Sequence, residues 1–218
     1  MTDTAPVPDT SVETPSGKGA GDENFPVGSW LLPRALRPHV AVFYAFARAI
    51  DDIADNPALE SNDKLERLEA FGAAAQHGST DPALVKADRL RRMCAVTGIP
   101  VQHGLDLISA FKQDAVQARY ESWADLIDYC NRSAAPVGRF LLDLHGESRE
   151  LYPFSDALCN ALQVINHLQD CGDDYRNLDR VYLPLSWLRT EKAAVEHLSK
   201  PMATEALRRV LDRAVERT

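Results

Sequence analysis

The chain has 218 residues, 45% of them hydrophobic and 26% charged, and a formal net charge of −8. These values fit a globular protein with an ordinary core, and the acidic balance argues against a non-specific nucleic-acid binder and against attraction to anionic lipid by bulk charge. The four cysteines form no C-x-x-C pair and the longest apolar run is far too short to span a bilayer, which points to reduced thiols in a cytoplasmic protein.

Residues 1–22 are rich in Thr, Ser, Pro and Gly and lack an apolar signal core, so they read as a disordered leader ahead of a single domain over 23–218. A first helix is expected with Pro38 in its first turn, running to about Ala54. A second follows from Ser61, with Asp63 and Glu66 spaced as a capping box. A third has Asp81 as N-cap, Pro82 at the first helical position and Gly98 at its end. A fourth restarts after Pro100, and a fifth begins at Ser122 with Asp125 three residues on, again the capping-box spacing. Pro136 and Gly138 interrupt this fifth pattern. Because its apolar periodicity continues, a kinked helix is expected, with Ser133, Ala134 and Ala135 keeping the wall thin beside a cavity; a boundary between two helices is the alternative. A long helix from Ser155 and two shorter ones near 190–198 and 202–217 complete the chain. With no strand-like alternation anywhere, the expected fold is an all-α, single-domain helical bundle.

Two of these helices carry acidic residues where an apolar helix should not. The first ends in "ARAIDDIADN", placing Asp51 and Asp55 one turn apart on one face. The long helix reads "LQVINHLQDCGDDYRNLDRVYLP", where Gln163, Asn166, Asp170 and Asp174 form a polar seam among Leu162, Val164, Ile165 and Leu168. Facing one another across a bundle, such carboxylates require cations. Oxygen-only ligands with no suitably spaced His or Cys indicate a hard ion, Mg²⁺ above all, which takes one or two carboxylates plus substrate phosphate. Arg48, Arg176 and Arg180 supply the anion-binding half. The combination specifies a diphosphate held by Mg²⁺. A di-iron bundle would need Glu-x-x-His, and none of the six histidines has an acidic residue three positions before it.

The pairing of "RAIDDIAD" with "LQVINHLQDCGDDYRNLDRVYLP" resembles the squalene/phytoene synthase family of all-α isoprenoid synthases. "ENFPVGSWLLP", "QDAVQARY" and "DYCNRSAAPVGRFLLDLHGES" are most similar to its hopanoid-pathway, hydroxysqualene-forming branch. The resemblance implies Asp51, Asp52, Asp55, Asp170 and Asp174 as Mg²⁺ ligands and Arg48, Gln163, Asn166, Arg180 and Tyr182 as diphosphate contacts. It implies Tyr129 near the reacting carbons, Gly138 at the kink and Tyr120 in a further recurring motif. Phe43, Phe46, Phe111 and Phe140 are the aromatic candidates for lining an apolar cavity that shelters a carbocation. The implied reaction is ionisation of presqualene diphosphate, rearrangement, and capture by water to give hydroxysqualene. A head-to-head condensing enzyme and a non-catalytic scaffold of the same fold are the alternatives. A thirty-carbon substrate also implies peripheral membrane contact through an apolar rim, and coupling to a presqualene diphosphate synthase. Relatives continue beyond the position of Thr218, so C-terminal helices are expected to be missing.

Overall fold

The computed structural model describes residues 12–13 and 32–218. The rest of the expected leader, and residues 23–31 after it, lie outside the described residues. Val12 and Glu13 are placed: Arg67 donates to the Val12 carbonyl at 3.1 Å, and Lys86 pairs with Glu13. The leader is therefore anchored at these two residues.

Among the described residues the chain forms nine α-helices and no strand: α1 (Arg37–Asp55), α2 (Ser61–His77), α3 (Val85–Thr97), α4 (Gln102–Asp114), α5 (Trp123–Ser133), α6 (Ala135–His145), α7 (Tyr152–Leu178), α8 (Leu185–Thr190) and α9 (Glu205–Arg217). The predicted all-α class is what the structure has. Phe43, Phe46, Ile50 and Ile53 of α1 pack with Leu68 and Phe71 of α2, Leu90 of α3, Leu107 of α4 and Phe140 of α6 in the largest core cluster. Side chains of this size stabilise by about 1.5–3 kcal/mol each when buried. A second cluster joins Val181 and Leu183 to Trp187 and Leu188 of α8 and to Leu207 and Val210 of α9.

Local signals account for most helix ends. Ser122 accepts from the Asp125 N–H at 3.2 Å while Asp125 accepts from the Ser122 N–H at 2.9 Å, the expected capping box of α5. Gly98 stops α3 in a left-handed conformation, φ 75°. Asp81 caps a short 3₁₀ turn, Pro82–Leu84, that leads into α3. Three expectations are corrected. No side chain caps α2, so Asp63 and Glu66 do not form the box. The long helix starts at Tyr152 rather than Ser155, because a Ser148-capped turn, Arg149–Leu151, feeds it directly with Pro153 in its first turn. The kinked helix is two helices that break at Ala134, φ −119° and ψ −48°. Pro136 has no N–H to give the Arg132 carbonyl and its ring crowds that oxygen, so the helix ends and restarts.

α6 lies against α7 closely enough that a Cβ on Gly138 would collide with Ser155 Oγ and Cys159 Sγ. Beside that contact face, α7 leaves Phe154, Leu158, Leu162 and Ile165 exposed. Their spacing of four, four and three residues puts them on one stripe. No helix among the described residues is long and apolar enough to cross a membrane.

Candidate active site

The acidic end of α1 is built around Arg48, whose guanidinium reaches Asp51 at 3.0 Å and Asp52 at 2.6 Å, one turn ahead on the same helix. Asp55 is held from the far end of the chain: Arg180 Nη1 donates to its Oδ1 at 2.9 Å. The apolar helix tolerates its carboxylates because two arginines meet them.

Arg180 reaches this position through the turn that ends α7. Asp179 adopts the left-handed conformation, φ 49°, and the Arg180 N–H bonds back to the Asp174 carbonyl at 3.1 Å. The chain then pairs with the segment after α4: Val181 N–H donates to the Ala118 carbonyl at 2.9 Å, Leu185 N–H to the Tyr120 carbonyl at 2.9 Å, and Arg119 to Asp179. The two stretches "QARY" and "DRVYLP" thus lie side by side, and their tyrosines stack, Tyr120 on Tyr182 with ring centroids 5.4 Å apart.

Beneath them is a buried polar cluster. Asp114, the last residue of α4, accepts from Tyr129 Oη of α5 at 2.7 Å and from Tyr182 Oη at 3.5 Å, with Arg180 Nε at 3.9 Å. His167 of α7 stacks on Tyr182 at 3.5 Å between centroids and contacts Gln163 through Nε2 at 3.2 Å. Burial, reinforced by Arg180, pushes His167 down to about 3, so its imidazole is neutral at physiological pH. Lys64 of α2 donates to the Ala54 carbonyl at 2.8 Å and so caps α1 beside Asp55. Burial and then Arg180 lower its pKa.

The electrostatics tie the two acidic clusters into one site. Burial, then the Asp55 charge, raises Asp51 to about 7. Burial, then Asp170, raises Asp174 on α7 to about 6, with Asp55 on α1 adding to the effect. Burial likewise raises Asp114 to about 6, opposed by Arg180. Among the described residues, no group of three or more His, Cys, Asp or Glu side chains stands ready to hold a metal ion alone. The donor set nonetheless fits Mg²⁺ arriving with a diphosphate, since that ion keeps waters and shares carboxylates with phosphate oxygens. Carboxylates raised by burial first and by neighbouring carboxylates second are groups whose charge a cation stabilises.

The predicted residues divide by place. Arg48, Asp51, Asp52 and Asp55 are gathered on α1; Gln163, Asn166, Asp170 and Asp174 follow one another along α7; Tyr129, Arg180 and Tyr182 lie in the cluster between. Phe43, Phe46 and Phe140 are core: Phe43 stacks on Phe140 at 4.0 Å, and Phe46, with 0% exposure, meets Phe71. Phe111 packs half-buried on the same core, and Gly138 serves the α6–α7 crossing. Phe46 and Phe140 are thus fully enclosed by the core in this structure. Asp114, His167 and Lys64 went unpredicted. Asp114 did carry a signal: it continues the buried Leu107–Ala110 stripe of α4 with a carboxylate.

Comparison with known proteins places the chain in a family. The family model for squalene/phytoene synthase matches residues 19–218. A hydroxysqualene synthase of Rhodopseudomonas palustris is 47% identical over 207 residues, covering 94% of this chain and 70% of that protein. One from Zymomonas mobilis is 46% identical over 206 residues, covering 93% and 68%. Among solved structures, squalene synthase HpnC from Alicyclobacillus acidocaldarius superposes with a TM-score of 0.75 at 37% identity, covering 89% of this chain and 73% of that one. A dehydrosqualene synthase shares the fold, with a TM-score of 0.70 at 23% identity. On the match across nearly its whole length, this chain belongs to the squalene/phytoene synthase family.

Proposed function

We propose that the chain is a hydroxysqualene synthase, a carbon–oxygen lyase that converts presqualene diphosphate and water to hydroxysqualene and diphosphate with Mg²⁺. The observation that carries this reading is the Arg180–Asp55 bridge that joins the acidic end of α1 to the segment leaving α7, where the charges of Asp55 and Arg180 also act on Asp174, in a chain 46–47% identical to curated relatives named for that product.

Asp51, Asp52, Asp55, Asp170 and Asp174 would hold Mg²⁺, which would supply positive charge to the leaving diphosphate. Arg48 and Arg180 bind the diphosphate oxygens, Arg180 from a buried position that fixes its fork. Gln163 and Asn166, on the same seam as Asp170, orient the polar head. Tyr129, packed edge-on against Tyr120 and tilted against Tyr182, is the ring assigned near the reacting carbons, and this packed tyrosine cluster excludes bulk water, so that capture is restricted to a placed water. A neutral His167 adds no positive charge beside the carbocation. Exposed Phe154, Leu158, Leu162 and Ile165 support peripheral contact with lipid, from which a thirty-carbon substrate would enter; the substrate's chemistry calls for a presqualene diphosphate synthase as supplier.

The test is a product assay with Mg²⁺ and without NADPH, offering presqualene diphosphate and farnesyl diphosphate separately and reading the organic extract by mass spectrometry. Hydroxysqualene from presqualene diphosphate alone supports the reading. Presqualene diphosphate formed from farnesyl diphosphate moves the chain to the condensing reaction. No product from either, with no Mg²⁺-dependent diphosphate binding, makes it a scaffold.

A further inference from the structure

The reaction above leaves Asp114 without a task, although it is the most enclosed carboxylate of the site. Its side chain is 1% exposed, and two phenols and a guanidinium are aimed at it. Arg180 also donates through Nη2 to the Asp114 carbonyl at 3.4 Å. The guanidinium therefore stands between two carboxylates with different surroundings. Asp55 is at the open end of α1 with its side chain 38% exposed, so a cation or water can replace Arg180 as its partner. Asp114 is sealed in by Tyr129 and Tyr182 and cannot turn away. The Arg180 side chain is only 8% exposed, and a guanidinium so enclosed is strongly destabilising if it loses every counter-charge.

We propose that Asp114 is a positioning residue: it keeps Arg180 paired and aimed into the site when Asp55 leaves that arginine for a divalent cation. The proposal rests on the reading of Asp55 as a cation ligand. With the Asp114 charge present, Asp55 is released at little cost, because Arg180 falls back on a second carboxylate already in contact. Without it, Arg180 holds Asp55 and every incoming cation competes with a buried arginine. The phenols of Tyr129 and Tyr182 fix the carboxylate in the orientation that makes this exchange available, as hydrogen bonds to a charged acceptor do.

The experiment is a calorimetric titration of Mg²⁺ into the protein with saturating inorganic diphosphate. Asp114→Asn keeps the side-chain volume and an acceptor oxygen while removing the charge; Asp114→Ser gives the same comparison where the amide is not tolerated. The expected result is a rise of at least tenfold in the Mg²⁺ concentration for half-saturation. The double variant Arg180→Gln/Asp114→Asn removes the arginine that clings to Asp55, so at least threefold of that loss returns. A merely structural Asp114 gives no such recovery. An unchanged Mg²⁺ requirement in Asp114→Asn, or a double variant as poor as the single one, overturns the proposal while leaving the site intact. A wild-type protein that binds neither Mg²⁺ nor diphosphate overturns both this proposal and the reading of the site beneath it.

Discussion

Arg180 Nη1 lies 2.9 Å from Asp55 Oδ1 although 125 positions separate the two residues in the chain. This pair fastens the end of α1 to the segment leaving α7, and the same guanidinium neutralises the buried Asp114. Removing it should therefore damage the fold as well as the chemistry. Arg180→Ala leaves Asp114 enclosed with no cation and should cost about 3–5 kcal/mol, measured by denaturant unfolding. Arg180→Lys keeps the charge but not the fork that reaches both carboxylates, so it should recover most of the stability and little of the diphosphate affinity. A Lys variant with wild-type affinity would show that bidentate geometry is not what the site uses.

The carboxylates of α1 give a pH signature whose sign is fixed. Asp51 titrates near 7 in the folded chain against an ordinary 3.8, so the folded state binds more protons between those values and loses stability as pH rises through that window. His167, lowered from 6.5 to about 3, acts oppositely, since there the unfolded chain binds the proton. A bare pH profile mixes the two. The difference between Asp51→Asn and wild type isolates the first. In metal-free buffer the variant should match wild type near pH 4 and gain on it as pH rises to 7, by roughly 2–4 °C in melting temperature if the relieved repulsion is about 1 kcal/mol. It should also lose turnover. If the variant is less stable at every pH, its pairing with Arg48 outweighs the crowding and the carboxylate is structural.

At Gly138 the constraint is space. Ser155 Oγ and Cys159 Sγ occupy the place a Cβ would take, so Gly138→Ala must push α6 and α7 apart. The expected cost is about 1–3 kcal/mol, the range for overfilling a packed contact. Cys159→Ala should return part of it, and chemical denaturation of the two variants and their combination reads the coupling. Additive effects would place the strain elsewhere.

What the sequence makes legible follows from how local each cause is. Helix class, the Ser122–Asp125 cap and the left-handed stop at Gly98 depend on neighbours a few residues away, and all three are found as read. Asp51 and Asp55 stood out because carboxylates on an apolar helix violate a local pattern. Asp114 violates the same pattern less visibly: one acidic residue at a helix end is ordinary until Tyr129, and then Arg180 with Tyr182, arrive from two other parts of the chain. The phenylalanines show the converse. Phe46 and Phe140 have the chemistry of a cavity wall, but only tertiary packing decides whether a ring faces a cavity or another ring. The break at Ala134 lies between these cases. Pro136 announces a lost hydrogen bond locally, while continued apolar periodicity on both sides masks the restart.

The stripe Phe154, Leu158, Leu162 and Ile165 leaves large apolar side chains in water along α7, the helix that also carries the second acidic cluster. Burying a single such residue is worth about 1.5–3 kcal/mol, so several together can hold a protein on a bilayer without electrostatic help. That suits an acidic chain. The expected outcome is co-sedimentation with neutral phosphatidylcholine liposomes that changes little between low and high salt. The triple variant Phe154→Ser/Leu158→Ser/Leu162→Ser should weaken it at least tenfold with the melting temperature unchanged, since none of the three is buried in the fold. Absence of the wild-type protein from the lipid pellet would assign the stripe to protein packing instead, and the substrate would have to reach the site by another face.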